Sequence, residues 1–207
     1  MMQRRQSTLF AVLLFSCGGC SLLSPQPDPT RFALLASVDE LPGAVPPPAQ
    51  ALNPLRLGLG PIEIPEYLRR AALVTREHGT RLSPSPSDSW GEPFERSVER
   101  VLTIDLQREL GTGQPLLHPW YETDRPDVQI ELAFSRCERD ANGNVVVACR
   151  WIARWLDLSR APIERESRLE RPIAGKGGAA VALAISESIA EICKQIGAAI
   201  RESPTKQ

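Results

Sequence analysis

This sequence has few aromatic residues, few histidines and no excess of either charge. Phe, Tyr and Trp make up 5% of its 207 residues, which argues against a platform for stacking single-stranded nucleic acid. Lys and Arg number 24 and Asp and Glu number 25, so the net charge is −1. Binding to a phosphate backbone needs a basic face that displaces counterions. We therefore expect no nucleic-acid partner.

Residue patterns that carry catalysis are also scarce. The two histidines, His78 and His118, lie in polar or proline-containing segments without the spacing of a metal site. The sequence contains no Gly-x-Ser-x-Gly nucleophile motif. Residues 175–178 (Gly-Lys-Gly-Gly) resemble a phosphate-binding loop, but Arg171 stands where that loop needs Gly, and Gly177 where it needs Ser or Thr. We expect no catalytic residue, no metal site and no cofactor, and hence a protein that is not an enzyme.

A compact apolar run near the N-terminus is far shorter than a membrane-spanning helix. Arg4 and Arg5 precede residues 9–15 (Leu-Phe-Ala-Val-Leu-Leu-Phe), and small residues and cysteines follow at once. A transmembrane helix needs roughly 20 apolar residues, whereas a short run behind positive charge is typical of a signal peptide. The sequence therefore predicts an exported protein whose leader is removed.

The end of this leader has the pattern of a bacterial lipobox, in which a cysteine becomes the acylated N-terminus. We favour Cys20, which follows Gly18-Gly19 and precedes a tether-like Ser-Leu-Leu-Ser-Pro sequence; Cys17, after Leu14-Phe15-Ser16, is the alternative. Neither cysteine is followed by Asp, the residue that retains such lipoproteins in the inner membrane, so we expect anchoring at the periplasmic face of the outer membrane. This interpretation divides the chain into a signal peptide (1–19), a tether (20–29) and a folded domain (30–203).

Hydrophobic periodicity in the folded part predicts an α+β domain. Apolar residues at helical spacing predict helices over 93–110 and 179–201, each with one apolar stripe and thus one buried face. The proline-rich stretch 39–54 predicts a loop, and the proline-broken stretch 81–90 predicts a loop or an edge strand. Alternating residues predict strands over 30–36, 55–64, 71–76, 127–138, 145–158 and 163–173. We expect a mixed, mostly antiparallel sheet with two amphipathic helices packed on one face.

Two of the remaining cysteines flank a predicted hairpin turn at residues 140–144. If the loop spans Asn142–Asn144, Cys137 and Cys149 lie directly opposite each other, at a spacing that suits a disulfide. A two-residue loop would place them out of register by one. Because the periplasm is oxidising, we favour a Cys137–Cys149 disulfide over two free thiols or a metal pair. Cys193 lies beside the apolar stripe of the second helix and is interpreted as a core residue.

Several segments, in order, resemble the PqiC-like family of ABC-type transport auxiliary lipoproteins. They are the lipobox and the sequences Thr-Arg-Phe-Ala-Leu-Leu (30–35), Leu-Gly-Leu-Gly-Pro-Ile-Glu-Ile-Pro-Glu-Tyr-Leu (57–68), Leu-Val-Thr-Arg (73–76) and Trp-Gly-Glu-Pro (90–93). The resemblance spans roughly 30–200. The Trp90–Pro93 turn and the Tyr67-Leu68 segment are its signature positions, and we interpret both as packing positions, because a buried Trp usually serves packing.

The resemblance implies an auxiliary role beside an MCE-type intermembrane lipid transport system. It implies an MCE-domain protein of the periplasm or inner membrane as partner, assembly into a homo-oligomeric ring, and support of membrane integrity by docking. It offers no catalytic residue, and it does not identify the residues that bind the partner. Two alternatives stay open: a lipoprotein that binds a lipid or other apolar ligand in its own cavity, and a structural envelope lipoprotein.

Overall fold

The computed structural model describes residues 29–43, 46 and 55–203. The leader, Cys17 and Cys20 lie outside these ranges. Within them, no helix is both long enough and apolar enough to cross a membrane. The helices are α1 (Phe94–Leu110) and α2 (Gly177–Glu202), with short 3-10 turns at Glu66–Leu68 and Glu122–Asp124. The strands are β1 (Arg31–Ala33), β2 (Leu57–Glu63), β3 (Ala72–Arg76), β4 (Leu82–Trp90), β5 (Leu116–Leu117), β6 (Val128–Asp140), β7 (Asn144–Trp155) and β8 (Ile163–Pro172).

All eight strands form one mixed sheet organised around the long strand β6. On one edge β6 pairs antiparallel with β7, which pairs antiparallel with β8. On its other edge β6 pairs in parallel with β2 near its start and with β3 near its end. Strands β4 and β1 continue outward from β3, and β5 lies beyond β2, so β1 and β5 are at opposite ends of that strand order. The predicted α+β domain with a mixed sheet and two helices is confirmed.

A β-bulge in β6 changes which side chains face the helices. Val128, Ile130, Leu132 and Phe134 are buried at alternate positions, and the register then shifts between Phe134 and Arg136. One extra residue reverses the alternation of a strand. Cys137 therefore faces the core where an unbroken alternation would have placed residue 136.

The two helices differ in how much of their surface they bury. Helix α1 has one buried stripe and ends, as predicted, at Gly111, whose φ of 62° is the left-handed conformation that glycine adopts without steric cost. Helix α2 packs against the sheet on one side and against α1 on another, and 15 of its 26 residues are buried. The prediction of a single buried face is wrong for α2, because small residues between its large apolar ones allow close approach on several sides.

The stretch 81–90, predicted to be a loop or an edge strand, contains strand β4. Strand β3 pairs with it from Leu82 to Ser89. Strand β1 pairs only with Asp88–Trp90. Among the described residues, the prolines of β4, Pro84 and Pro86, thus lie where the strand has no second neighbour, which is where proline is tolerated.

The segment that follows β1 crosses both helices and is held by their polar side chains. The backbone N–H groups of Leu35, Ala36 and Val38 donate to Ser97 Oγ, Ser186 Oγ and Asp105 Oδ1, respectively. The carbonyl oxygen of Leu35 accepts a hydrogen bond from Arg100 at 2.8 Å. These bonds satisfy backbone groups that would otherwise be buried without partners, and they hold the segment after β1 against the two helices.

Candidate interaction surfaces

The Trp90–Pro93 turn immediately precedes α1. The Trp90 ring is buried with its centroid 4.8 Å from that of Phe94, and the backbone N–H of Trp90 donates to the carbonyl of Ala71. The interpretation of Trp90 as a packing residue agrees with this geometry. The outer side of the turn, together with Arg69 and Arg70, lines a shallow cavity of about 500 Å³.

Tyr67, the second signature position, belongs to a polar cluster around a buried carboxylate. Glu138 Oε1 accepts hydrogen bonds from Arg76 Nε and Arg136 Nε, both at 2.8 Å. Glu138 Oε2 accepts from Tyr67 Oη at 2.6 Å and from the backbone N–H of Cys137 at 2.9 Å.

The pKa values in this cluster follow from burial and these bonds. Burial alone would raise the pKa of Glu138, but the hydrogen bonds from Arg76, Tyr67, Arg136 and Cys137 outweigh it and hold the pKa below its ordinary value. Burial, followed by the bond to Glu138, raises the pKa of Tyr67 to about 12. Each partner is engaged within the cluster, so its role is to join the turn after β2 to β3 and β6.

A second cavity, of about 600 Å³, lies between α1, α2 and the Val38–Gly43 segment. Charged side chains at its rim are paired: Arg171 with Glu187 at 3.9 Å, Lys194 with Glu191 at 3.9 Å, and Arg201 with Glu109. Its deepest polar group is Asp105, which is 2% exposed.

Asp105 is a buried carboxylate with an incomplete set of hydrogen bonds. Its Oδ1 accepts from Val38 N–H at 2.7 Å, while no hydrogen bond reaches its buried Oδ2. Burial raises the pKa of Asp105 to about 6, against the lowering effect of the Val38 bond, and the nearby charge of Glu40 adds to the increase.

The three cysteines of the domain are free thiols in the protein core. Cys137 pairs with Val147 across the hairpin, and Cys149 pairs with Phe134. The predicted register is wrong for two reasons: the turn spans residues 141–143, and the β6 bulge adds a further shift. The two cysteines are diagonal neighbours, whose Cα atoms lie about 7–8 Å apart, beyond the usual limit of about 6.8 Å for a disulfide. The structure accordingly has no Cys137–Cys149 bridge.

Burial raises the pKa of all three thiols, to about 12 for Cys149. They are therefore protonated at neutral pH and poor metal ligands. In the described part of the chain, no group of three or more His, Cys, Asp and Glu side chains is placed to hold a metal ion. His118 packs edge-on against Trp120 at 5.3 Å between ring centroids. Cys20 and Cys17 lie outside the described residues, so lipidation there stays a prediction.

Exposed apolar side chains lie at two separate places. We call the first the entry edge: Phe32 and Leu34, 70% and 56% exposed, at and just after β1. We call the second the tip: Leu117, Tyr121 and Leu158, 42%, 83% and 73% exposed. Leu117 lies in β5, Tyr121 lies between β5 and β6, and Leu158 follows β7, whose end pairs with the start of β6. Single exposed apolar residues are normal on a surface, but the entry edge is connected through β4 and β3 to the other end of β6.

The sequence-level interpretation missed Asp105 and Glu138 as buried charges. Asp105 carried a signal, since it lies three residues after Leu102 within the apolar stripe of α1. The sequence around Glu138 gives no indication that this residue is buried, because its burial depends on a bulge and on strands distant in sequence.

Comparison with known proteins decides the family. The family model described as "ABC-type transport auxiliary lipoprotein component" matches residues 38–197. The chain belongs to this family. The match begins after β1 and ends within α2, so it includes β2 to β8 and α1. No curated protein sequence matches the chain.

Two solved structures share the fold of this family member. One is the crystal structure of protein XCC0632 from Xanthomonas campestris, which is 13% identical, with a TM-score of 0.62 over 83% of this chain and 95% of that one. The other is a crystal structure described as an uncharacterized protein, 14% identical, with a TM-score of 0.62 over 82% of this chain and 99% of that one. At these identities the likeness establishes the fold alone.

Proposed function

We propose that this auxiliary lipoprotein is anchored in the outer membrane through Cys20 and acts in an MCE-type intermembrane lipid transport system by docking to its partner protein. Its role is to maintain membrane integrity by contact, without catalysis and without a cofactor beyond its covalent lipid. The observation that carries the proposal is the family match over 38–197, which makes the chain a component of an ABC-type transport system. The leader with its two candidate acylation sites, Cys20 and Cys17, supports the anchor.

We assign the partner contact to the tip. Tyr121 and Leu158 are the two most exposed large apolar side chains of the described residues, and aromatic side chains are enriched at protein interfaces. Leu158 also has a positive φ of 60°, which is uncommon for a non-glycine residue. A turn that holds an apolar side chain outward in this conformation fits a contact residue.

The test is co-purification from native envelopes. Full-length protein is extracted in mild detergent, and proteins bound to it are identified by mass spectrometry. We expect an MCE-domain protein, and we expect Tyr121→Ser with Leu158→Ser to reduce its recovery about tenfold, the effect of losing about 1.4 kcal/mol of binding energy. Phe32→Ser is the control, an exposed apolar side chain on β1, outside the tip. Absence of an MCE-domain protein, with unchanged membrane permeability in a deletion strain, would contradict the proposal.

The cavity beside Asp105 supports one alternative, a lipid or other apolar ligand held in the domain itself. Its volume of about 600 Å³ lies within the range of ligand pockets, about 300–1,000 Å³. Lipid extraction of the purified protein, followed by mass spectrometry, separates the two functions. A stoichiometric lipid that is lost on Ala190→Trp, which fills the cavity, would favour the ligand-binding function.

A further inference from the structure

The entry edge lies where the chain leaves the domain towards its anchor. Phe32 follows Cys20 by twelve residues, so the intervening chain can span at most about 43 Å. A domain of this size has a radius of gyration of about 15 Å. The tether is therefore about as long as the domain is wide, and it keeps the face bearing β1 close to the bilayer that holds the acyl chains.

The side chains of this edge are apolar where they are most exposed. Phe32 and Leu34 alternate with the buried Ala33 and so point away from the helices. Leu34 packs over Gly91: its Cδ2 lies 3.2 Å from the position that a Cβ on Gly91 would take. A Cβ at residue 91 would crowd Leu34, so the glycine allows Leu34 to pack closely beside the Trp90 turn.

Two ion pairs flank the edge. Arg31 pairs with Asp88 at 3.2 Å, and Arg69 lies 3.5 Å from Glu95. The exposed cations Arg70 and Lys176 give this rim an excess of positive charge. Contact with an uncharged phosphatidylcholine surface would then depend on the apolar side chains and only weakly on salt, because such a surface carries no net charge for the two cations to meet and paired surface charges contribute little.

The edge is too small for a stable protein contact. Strand β1 has three residues and β4 as its neighbour, so a second strand added to it would gain few hydrogen bonds. Two side chains also fall far short of the roughly 800 Å² per partner of a standard protein interface. An apolar side chain a few ångströms deep in the headgroup region needs no such area, because the covalent anchor supplies the main affinity.

We propose that the entry edge is a membrane-contact surface: Phe32 and Leu34 insert into the phospholipid surface that holds the anchor and orient the domain with its tip pointing away from that membrane. This inference rests on the lipid anchor of the proposed function, and it does not depend on the identity of the partner. The contact would convert a flexible attachment into a defined orientation.

The experiment places an environment-sensitive fluorophore on single introduced cysteines of the acylated full-length protein in phosphatidylcholine vesicles. Cys137, Cys149 and Cys193 are at most 3% exposed, so they do not compete for the label. The reporter is Arg70→Cys, which leaves Phe32 and Leu34 in place, and the control is Leu158→Cys at the tip. Quenching by a lipid-borne nitroxide should be roughly twofold or more stronger at residue 70, because interfacial apolar groups lie only about 5–10 Å into the headgroup boundary.

Further variants and controls distinguish membrane insertion of Phe32 and Leu34 from other causes of quenching. Phe32→Ser with Leu34→Ser, both at exposed positions, should reduce the quenching at residue 70 to that at residue 158, and added salt should leave it unchanged. Equal quenching at the two sites overturns the inference. A fluorescence change at residue 70 that depends on the protein density and not on the lipid-borne quencher indicates contact with a second copy of the chain. That result also overturns the inference. Mass spectrometry of the same sample checks acylation: an unacylated chain removes both anchor and inference, whereas an acylated chain without preferential quenching removes the inference alone.

Discussion

Asp105 of helix α1 accepts a hydrogen bond from the backbone N–H of Val38 at 2.7 Å, with its carboxyl group buried beneath the N-terminal segment. The bond joins the helix layer to the chain that leads from the entry edge. Because only one carboxylate oxygen is engaged, the second oxygen is buried with no hydrogen bond. The contact therefore fixes the segment at the cost of a desolvated charge.

This arrangement predicts that the domain becomes more stable as the pH falls from 7 to 5. The pKa of Asp105 is about 6 in the folded protein, against about 3.9 in an unfolded chain. The folded state thus binds the proton more tightly, and the ionised form at pH 7 costs about 1–3 kcal/mol. Asp105→Asn keeps an acceptor for Val38 and removes the charge, so it should raise the free energy of unfolding at pH 8 and flatten this pH dependence.

Urea denaturation at several pH values measures both effects. Asp124→Asn is the control, because the ion pair of Asp124 with Arg56 is half exposed and its loss should change stability by less than about 1 kcal/mol. An Asp105→Asn variant with the same pH slope as the wild type would show that the carboxylate is solvated.

Glu138 should behave in the opposite way with pH. Its pKa is held below the ordinary value, so its contribution is present above the unfolded pKa of about 4.3 and is lost as the pH falls below it. Glu138→Gln leaves Arg76, Arg136 and Tyr67 without their common anionic acceptor, and we expect a loss of about 2–3 kcal/mol at pH 7.

The matched control for Glu138 is Glu164→Gln. Glu164 pairs with Arg150 at 2.7 Å, but both side chains are more than half exposed, so its removal should cost about 0–1 kcal/mol. Chemical denaturation compares the two variants. Equal losses would mean that the cluster around Glu138 contributes no more than a surface ion pair.

Close packing of the two helices gives a third prediction, at Gly197. A Cβ on this residue would lie 2.5 Å from Cγ of Glu109, whose carboxylate pairs with Arg201. Gly197→Ala gains about 1 kcal/mol of helix propensity but separates α1 from α2, and we expect a net destabilisation of about 1–2 kcal/mol. The cost should shrink in a Glu109→Ala background, where the conflicting side chain is absent. A full cost in that background would place the strain elsewhere.

Periodicity predicted most of the fold because most elements bury a regular pattern. The stripe of α1 and the alternation of β6 up to Phe134 are local signals, and the structure confirms them. The signals fail where packing is not periodic. The bulge between Phe134 and Arg136 falls at Ser135 and Arg136, two adjacent polar residues that do not indicate which of them is the extra one. The small residues of α2 do not reveal from the sequence how many of its faces are covered.

The candidate surfaces were harder to predict for a related reason. Exposure of Phe32 and Leu34 depends on β1 lying at a sheet edge, and exposure of Tyr121 and Leu158 depends on where β2, β6 and β7 begin or end. These are properties of strand order, which a single sequence does not encode locally. Trp90 and Tyr67 could be singled out from the sequence, and both have structural contacts.

The state of the cysteines gives the last prediction, because the register set by the turn at residues 141–143 places Cys137 opposite Val147 and not opposite Cys149. Mature protein should contain three free thiols, at residues 137, 149 and 193, with the leader cysteines removed or acylated. All three are buried, and burial raises their pKa values, so a thiol reagent at neutral pH should label none in the native protein and three after unfolding under non-reducing conditions. A single reactive thiol in the unfolded chain would mean that a Cys137–Cys149 disulfide forms, and that the strands slide past each other to admit it. A fourth thiol would mean either that the cysteine at the mature N-terminus is not acylated or that acylation falls on Cys17 and leaves Cys20 as a free thiol. Cys137→Ser serves as the control: with free thiols it lowers the unfolded count to two, whereas with a disulfide it raises the count by releasing Cys149.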